Sequence, residues 1–197
     1  MKKSDIIIAL ITGEIVALYF WNLFKEVKSL APVLPFLTII FPVLSVICLG
    51  IAYLIGKKFL FIFQLAKFLL VGALATIFDL GTLSLFIKFF GVTAGIYYLI
   101  FKAITFIIAT TAKYFIDKFW AFEKKETAGL GKEFTQFFIV TLIGLAINVA
   151  AAWLTVDVVG PQLGFSAETW ANIGGIVAAF VTFTWNFIGY KFIVFKK

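Results

Sequence analysis

Apolar residues dominate this chain in long blocks, and its lysines gather at the ends of those blocks. A helix crossing a hydrocarbon core of ~30 Å needs about 20 predominantly apolar residues at 1.5 Å per residue. Six segments meet that length, at residues 6–24, 33–55, 68–90, 95–116, 134–156 and 170–192. The pattern predicts an all-α membrane protein with about six transmembrane helices. Met1-Lys2-Lys3 resembles the start of a signal peptide. The run behind it is long, carries Glu14 near its centre and lacks a small-residue cleavage site before Lys25, so it is expected to be a retained helix. Pro32, Pro35 and Pro42 are expected to shape the start of the second span and a kink within it. The stretch from Lys57 to Lys67 is expected to lie partly along the inner interface before the third span.

Composition agrees. Hydrophobic residues make up 63% and charged residues 14% of the 197, against about 45–50% and 25% in average soluble domains. A soluble fold of this size has too little interior to hide that much apolar surface, whereas lipid lets the outside be as oily as the inside. The net charge of +7 comes from lysine alone. Nucleic-acid binding would need those charges clustered on one soluble face; here they flank apolar runs, so no nucleic-acid partner is expected. The absence of histidine excludes histidine acid–base chemistry and histidine metal ligation, and Cys48 stands alone in an apolar stretch.

Six spans would put both termini on one side. Thirteen lysines, including Lys57, Lys58, Lys124, Lys125 and Lys132, then fall on that side. Lys25, Lys28, Lys88 and Lys102 fall towards the other. Positive residues stay inside, so a cytoplasmic-membrane protein with both termini cytoplasmic is expected. Trp120 and Trp170 fall at predicted interfaces, where indoles prefer to sit.

The last four spans read as two copies of one pattern. Lys67 matches Gln136 and Asp79 matches Asn148, each 69 positions on. The endings match at an offset of 73, with Asp117-Lys118-Phe119-Trp120-Ala121-Phe122 parallel to Tyr190-Lys191-Phe192-Ile193-Val194-Phe195. Two spans per copy give both copies the same orientation, the parallel kind of repeat found in some transporters. The expected organisation is a two-helix extension at 1–58 and a four-helix membrane domain at 59–197, with repeats at 63–122 and 134–195 and a short cytoplasmic linker at 123–133.

Residues 63–195 resemble the GtrA-like family of small bacterial and archaeal membrane proteins. The resemblance rests on Lys67-Phe68-Leu69-Leu70-Val71-Gly72, on Asp79 in the same helix, and on a basic-plus-aromatic ending in each half. The second half ends Asn186-Phe187-Ile188-Gly189-Tyr190-Lys191-Phe192-Ile193-Val194-Phe195, similar to the family's ending; in the first half Lys113 stands where the family usually has asparagine. The resemblance implies translocation of polyprenyl-phosphate-linked monosaccharides for cell-surface polysaccharides, or support for the glycosyltransferases that make or use them.

Such a translocase needs cations near the cytoplasmic face for phosphate, polar groups for sugar and an apolar flank for the prenyl tail. Charges within spans cost on the order of 2.5–3.5 kcal/mol at the helix centre and mark functional candidates. Asp79, Lys102, Asn148 and Glu14 are mid-span. Lys102 and Lys113 lie within ~20° of one helix face and ~16 Å apart along it. Thr105 and Thr110 flank that line, giving a broken polar strip. Lys102 either snorkels outward or pairs with Asp79, and Asp79 either serves the site or holds helices together. Lys67, Lys118 and Lys191 suit a phosphate as point charges, and equally suit topology and anionic lipid. Asn148 and Asn186 are candidate sugar or phosphate hydrogen-bond groups; Asn148 equally fits a bond between helices. Gly144, Gly174 and Gly175 permit close helix approach, and Glu14 fits structure or a subunit interface.

The substrate-binding candidates are therefore Lys67, Asp79, Lys102, Lys113, Lys118, Asn148, Asn186 and Lys191. No nucleotide-binding glycine loop or nucleophile elbow occurs, so neither enzymatic catalysis nor a cofactor is expected. Two functional readings stand: a translocase of the lipid-linked sugar, and a scaffold that docks a membrane glycosyltransferase without moving lipid. A small ion or drug transporter ranks below both. Four core helices are few for a closed pathway, which makes a homo-oligomer a candidate assembly.

Overall fold

The computed structural model describes residues 1–24, 32–91, 95–162, 164, 177 and 180–196, with the side chains of Ile96, Tyr98, Leu99, Lys102, Ala152 and Val156 left undescribed. Lys25, Lys28, Trp170, Gly174, Gly175 and the side chain of Lys102 therefore lie outside the described residues, as does the expected start of the sixth span.

The described chain is helical, with no strand among these residues: α1 (Lys3–Phe24), α2 (Leu34–Gly56), α3 (Leu60–Phe90), α4 (Gly95–Ile116), α5 (Leu130–Trp153) and α6 (180–189). Three wide π-helical turns follow, at Asp117–Ala121 after α4, Leu154–Val159 after α5 and Tyr190–Val194 after α6. Among the described residues four stretches are long and apolar enough to cross a membrane, Lys3–Asn22, Leu34–Gly56, Leu60–Phe90 and Leu130–Ala151.

Local chemistry explains several helix ends. A proline occupies the first turn of α2, where its missing N–H costs nothing. Gly91 stops α3 at a positive φ of 66° and donates its N–H to the Ile87 carbonyl at 2.8 Å, a closure that favours glycine. The third helix differs from its expected start. It begins at Leu60 and runs unbroken through Lys67 for 31 residues, about 46 Å, longer than a ~30 Å core is thick. Helix propagation is cheaper than breaking and re-nucleating, and residues 60–66 contain neither proline nor glycine to force a stop. Pro42 lies inside α2 without ending it.

The chain forms two compact units, Met1–Glu123 and Lys124–Lys197. In the first, α1 packs on α2 and α3, and α3 on α4. Gly13 of α1 sits so close to the backbone of α2 that a Cβ there would come within 2.5 Å of the Pro42 Cα. The core gathers Ala9, Leu49, Phe63, Val71 and Trp120. The N-terminal pair, delimited at 1–58 by sequence, thus packs onto α3. In the second unit Phe137 of α5 stacks on Tyr190 with ring centres 4.3 Å apart, and the Trp185 indole N–H donates to the Val140 carbonyl at 3.0 Å.

Candidate functional site

In the first unit α3 carries Lys67 into a polar nest beside the ends of α1 and α4. The Lys67 ammonium lies 2.9 Å from Asp5 Oδ1 and 3.0 Å from Glu123 Oε1, and donates to the Trp120 carbonyl at 3.3 Å. The rings of Phe63 and Trp120 lie 4.4 and 5.3 Å from it. Lys67 and Asp5 are each only 1% exposed. The network closes on itself: the Trp120 indole donates to Asp5 Oδ1 at 2.9 Å, the Lys2 backbone N–H to Asp5 Oδ2 at 2.7 Å, and the Lys2 ammonium reaches Glu123 at 3.0 Å. Partial burial pushes the Glu123 carboxyl up, yet hydrogen bonds from Lys2 and Lys67 and their positive charges outweigh it and hold the group below its ordinary value.

Sequence reasoning missed Asp5, Glu123 and Asp117, and it put Trp120 at an interface where the structure buries it. Asp117 had a readable signal: it follows Lys113 by four positions, the spacing at which opposite charges meet on a helix. Those two form an ion pair, and the Lys113 ammonium also lies 4.2 Å from the Phe68 ring. Asp5 and Glu123 are 118 positions apart and gave no local signal.

The helical register changes just past Lys113. The Phe122 N–H closes on the Asp117 carbonyl at 2.8 Å, five residues back, widening the last turn. Lys118 is fully buried there, its ammonium 6.0 and 5.8 Å from the rings of Tyr114 and Phe119. The second unit ends the same way. The Phe195 N–H closes on the Tyr190 carbonyl at 2.7 Å, and the Lys191 ammonium lies 5.7 Å from the rings of both Phe187 and Phe192. Phe68 and Phe122 in the first unit have centroids 6.3 Å apart; their counterparts Phe137 and Phe195 are 6.2 Å apart.

The mid-helix candidates bond to threonines. Asp79 accepts from the Thr105 hydroxyl at 2.7 Å. The Asn148 amide donates to Thr182 Oγ1 at 3.0 Å. Asn186 sits against Gly144, and its carbonyl oxygen is buried with no hydrogen-bond partner among the described residues. Lys67, Lys113 and Lys118 all lie at one end of the first unit, through α3, α4 and the wide turn. Asn148 of α5, Asn186 of α6 and Lys191 of the following wide turn are spread through the second.

An apolar cavity of about 530 Å³ opens in the first unit. Ile15 of α1, Leu74, Phe78 and Leu85 of α3, and Ile116 of α4 line it, and Lys113 is the charged residue in its wall. Along α3 the lining runs from Leu74 to Leu85, about 16 Å of helix. The combination suits an apolar chain that ends in an anion.

The sequence model of the GtrA/DPMS transmembrane domain matches residues 67–195. The chain belongs to the GtrA/DPMS transmembrane-domain family. No curated protein and no solved structure matches it. Membership ties the chain to the handling of polyprenyl-phosphate-linked sugars, by a small membrane domain that is not a known catalytic fold. The GtrA/DPMS match opens on the buried Lys67 and closes on Phe195, whose N–H completes the second wide turn. Helices α1 and α2 fall outside the match, so Asp5 and Ile15 reach the GtrA/DPMS domain from the N-terminal extension.

Proposed function

We propose that this protein moves a polyprenyl-phosphate-linked monosaccharide across the cytoplasmic membrane for glycosylation of cell-surface polysaccharide. It does so without hydrolysis, as a six-span protein with cytoplasmic termini. The observation that carries the proposal is the apolar cavity with Lys113 in its wall. A prenyl chain gains by leaving its neighbours for an apolar channel only if the phosphate also finds a cation, because an unpaired anion at membrane depth is costly. Lys113 places an ammonium, ion-paired with Asp117, beside the apolar lining, where a phosphate would join that pair, and Lys118 lies five residues on. The matching wide turns support a repeat in which Lys118 and Lys191 hold equivalent posts, each bracketed by aromatic rings. Asp79, Lys102, Asn148 and Asn186 are the proposed sugar-facing and path-lining groups.

The test is translocation in proteoliposomes holding a labelled short-chain polyprenyl-phosphate hexose, read by an impermeant probe of leaflet exposure. The variant to compare carries Lys113→Gln with Asp117→Asn, which removes both charges and leaves neither buried alone. Protein-dependent movement that this pair of changes suppresses supports the proposal. Equal movement by both proteins defeats the assignment of Lys113, and no movement by folded natural protein defeats the translocase.

One observation favours a second reading, the scaffold that docks a membrane glycosyltransferase. Lys67 and Lys113 already hold carboxylates, so their charges serve the fold. On that reading the cytoplasmic linker, with Lys124 and Lys125, carries the function. Co-purification of a glycosyltransferase that is lost in a Lys124→Ala, Lys125→Ala variant, with no lipid movement by either protein, would select it.

A further inference from the structure

The GtrA/DPMS match starts at Lys67, yet the cavity has a wall that precedes it. Ile15 of α1 lines the space together with residues of α3 and α4. Two features hold α1 in place at that depth. Ten residues earlier, about 15 Å along the helix, Asp5 pairs with the buried Lys67. Two residues earlier, Gly13 abuts the backbone of α2 at Phe41 and Pro42. A helix fixed at one end by a buried ion pair and at its middle by backbone contact is a stiff wall. Gly81 of α3 lines the same cavity, and a Cβ there would meet nothing within 4 Å.

We infer that α1 is part of the lipid site, and that Ile15 sets the bore available to the isoprenoid chain. This rests on the translocase reading and deepens it by giving the N-terminal extension a role in chain selection. The lining favours an isoprenoid with an anionic head because it is apolar apart from Thr82 over the length from Leu74 to Leu85 and carries the ammonium of the Lys113–Asp117 pair in its wall. Branched Ile15, β-branched and stiff at χ1, presents a fixed contour to a chain that carries a methyl branch in every unit. The same chemistry in a phospholipid would put straight acyl chains there, and that alternative is an outcome of the test.

The experiment uses the full chain in lipid nanodiscs. Native mass spectrometry measures retention of a polyprenyl phosphate, and separately of a dioleoyl phosphatidic acid, with thermal unfolding as the check on folding. Filling the cavity costs on the scale of overpacking, so Ile15→Trp and Gly81→Trp should each lower polyprenyl-phosphate retention by about tenfold. Ile7→Trp, on the exposed surface of the same helix, should leave it unchanged. If Ile15→Trp fails to fold, Ile15→Phe takes its place with a smaller loss in the same direction. Retention lost in Gly81→Trp but kept in Ile15→Trp overturns the role of α1 while the translocase survives. Retention kept in both removes the cavity as the chain site. Equal retention and equal loss of phosphatidic acid overturns the isoprenoid assignment.

Discussion

Asp5 and Lys67 meet at 2.9 Å with both side chains 1% exposed, and they join the first turn of α1 to the residue on which the family match opens. The pair is buried, and its satisfaction depends on Trp120 and Glu123 as well. Breaking such a pair on one side leaves a charge without its partner, which costs far more than the intact pair contributes.

Asp5→Ala is therefore expected to destabilise the protein by on the order of 3 kcal/mol, because Lys67 stays buried with Glu123 as its remaining carboxylate. Lys2→Ala, at a side chain 66% exposed, should change stability by less than about 1 kcal/mol. Thermal unfolding in one detergent compares them. Equal midpoints for the two variants would show that the buried pair is not a structural anchor.

Glu123 gives a pH dependence. Its folded carboxyl is held below the ordinary 4.5 by Lys2 and Lys67, against the push of partial burial, so the folded state binds fewer protons there than the unfolded chain. Its contribution is fully present above that value and is lost as pH falls through the lower folded one. Natural protein should exceed Glu123→Gln in stability near neutrality, and the gap should close on acidification below 4.5. A gap that widens on acidification would contradict this assignment.

Two glycines should answer substitution in opposite ways. At Gly13 a new methyl meets backbone atoms of Phe41 and Pro42 at 2.5–2.7 Å, and backbone cannot rotate aside. Gly13→Ala should cost about 2 kcal/mol or more. Gly81→Ala enters open space and gains helix propensity, so it should be neutral or stabilising by up to about 1 kcal/mol. Paired unfolding curves decide it, and a Gly13→Ala protein as stable as Gly81→Ala would refute the close α1–α2 approach.

On the proposed translocase reading, Lys191→Ala should slow translocation by about tenfold or more, the scale of losing one charge-assisted hydrogen bond to a phosphate. The side chain is half-buried between Phe187 and Phe192, so Lys191→Met keeps its packing and serves as the companion variant. Both should be slow in the proteoliposome assay. A fast Lys191→Met beside a slow Lys191→Ala would make the residue a packing element and not a phosphate ligand.

The membrane class, the helical architecture and the family were legible in the sequence. They follow from the length of apolar blocks, the placement of lysines and a motif contiguous along the chain, and none requires knowing which helices touch. The matching endings at Lys118 and Lys191 were legible for the same reason, since each lies within a few residues of its own aromatics.

The partners were not legible. Lys67 read equally as a phosphate-binding cation and as a topology marker, because an isolated lysine at a helix end ordinarily reaches water or lipid phosphate. The fold instead brings Asp5 and Glu123 to it from 62 and 56 positions away. Trp120 likewise read as an interfacial indole until packing gave its N–H a buried acceptor. The cavity belongs to the same class, since Ile15, Phe78 and Ile116 share a wall only after α1, α3 and α4 pack. By itself the sequence determined the membrane class and the helical character of the chain, because transfer from water to lipid depends on the apolar length of each segment alone. Only the tertiary structure decided which charges neutralise one another and where space is left, because pairing and cavities are properties of neighbours that the chain order does not state.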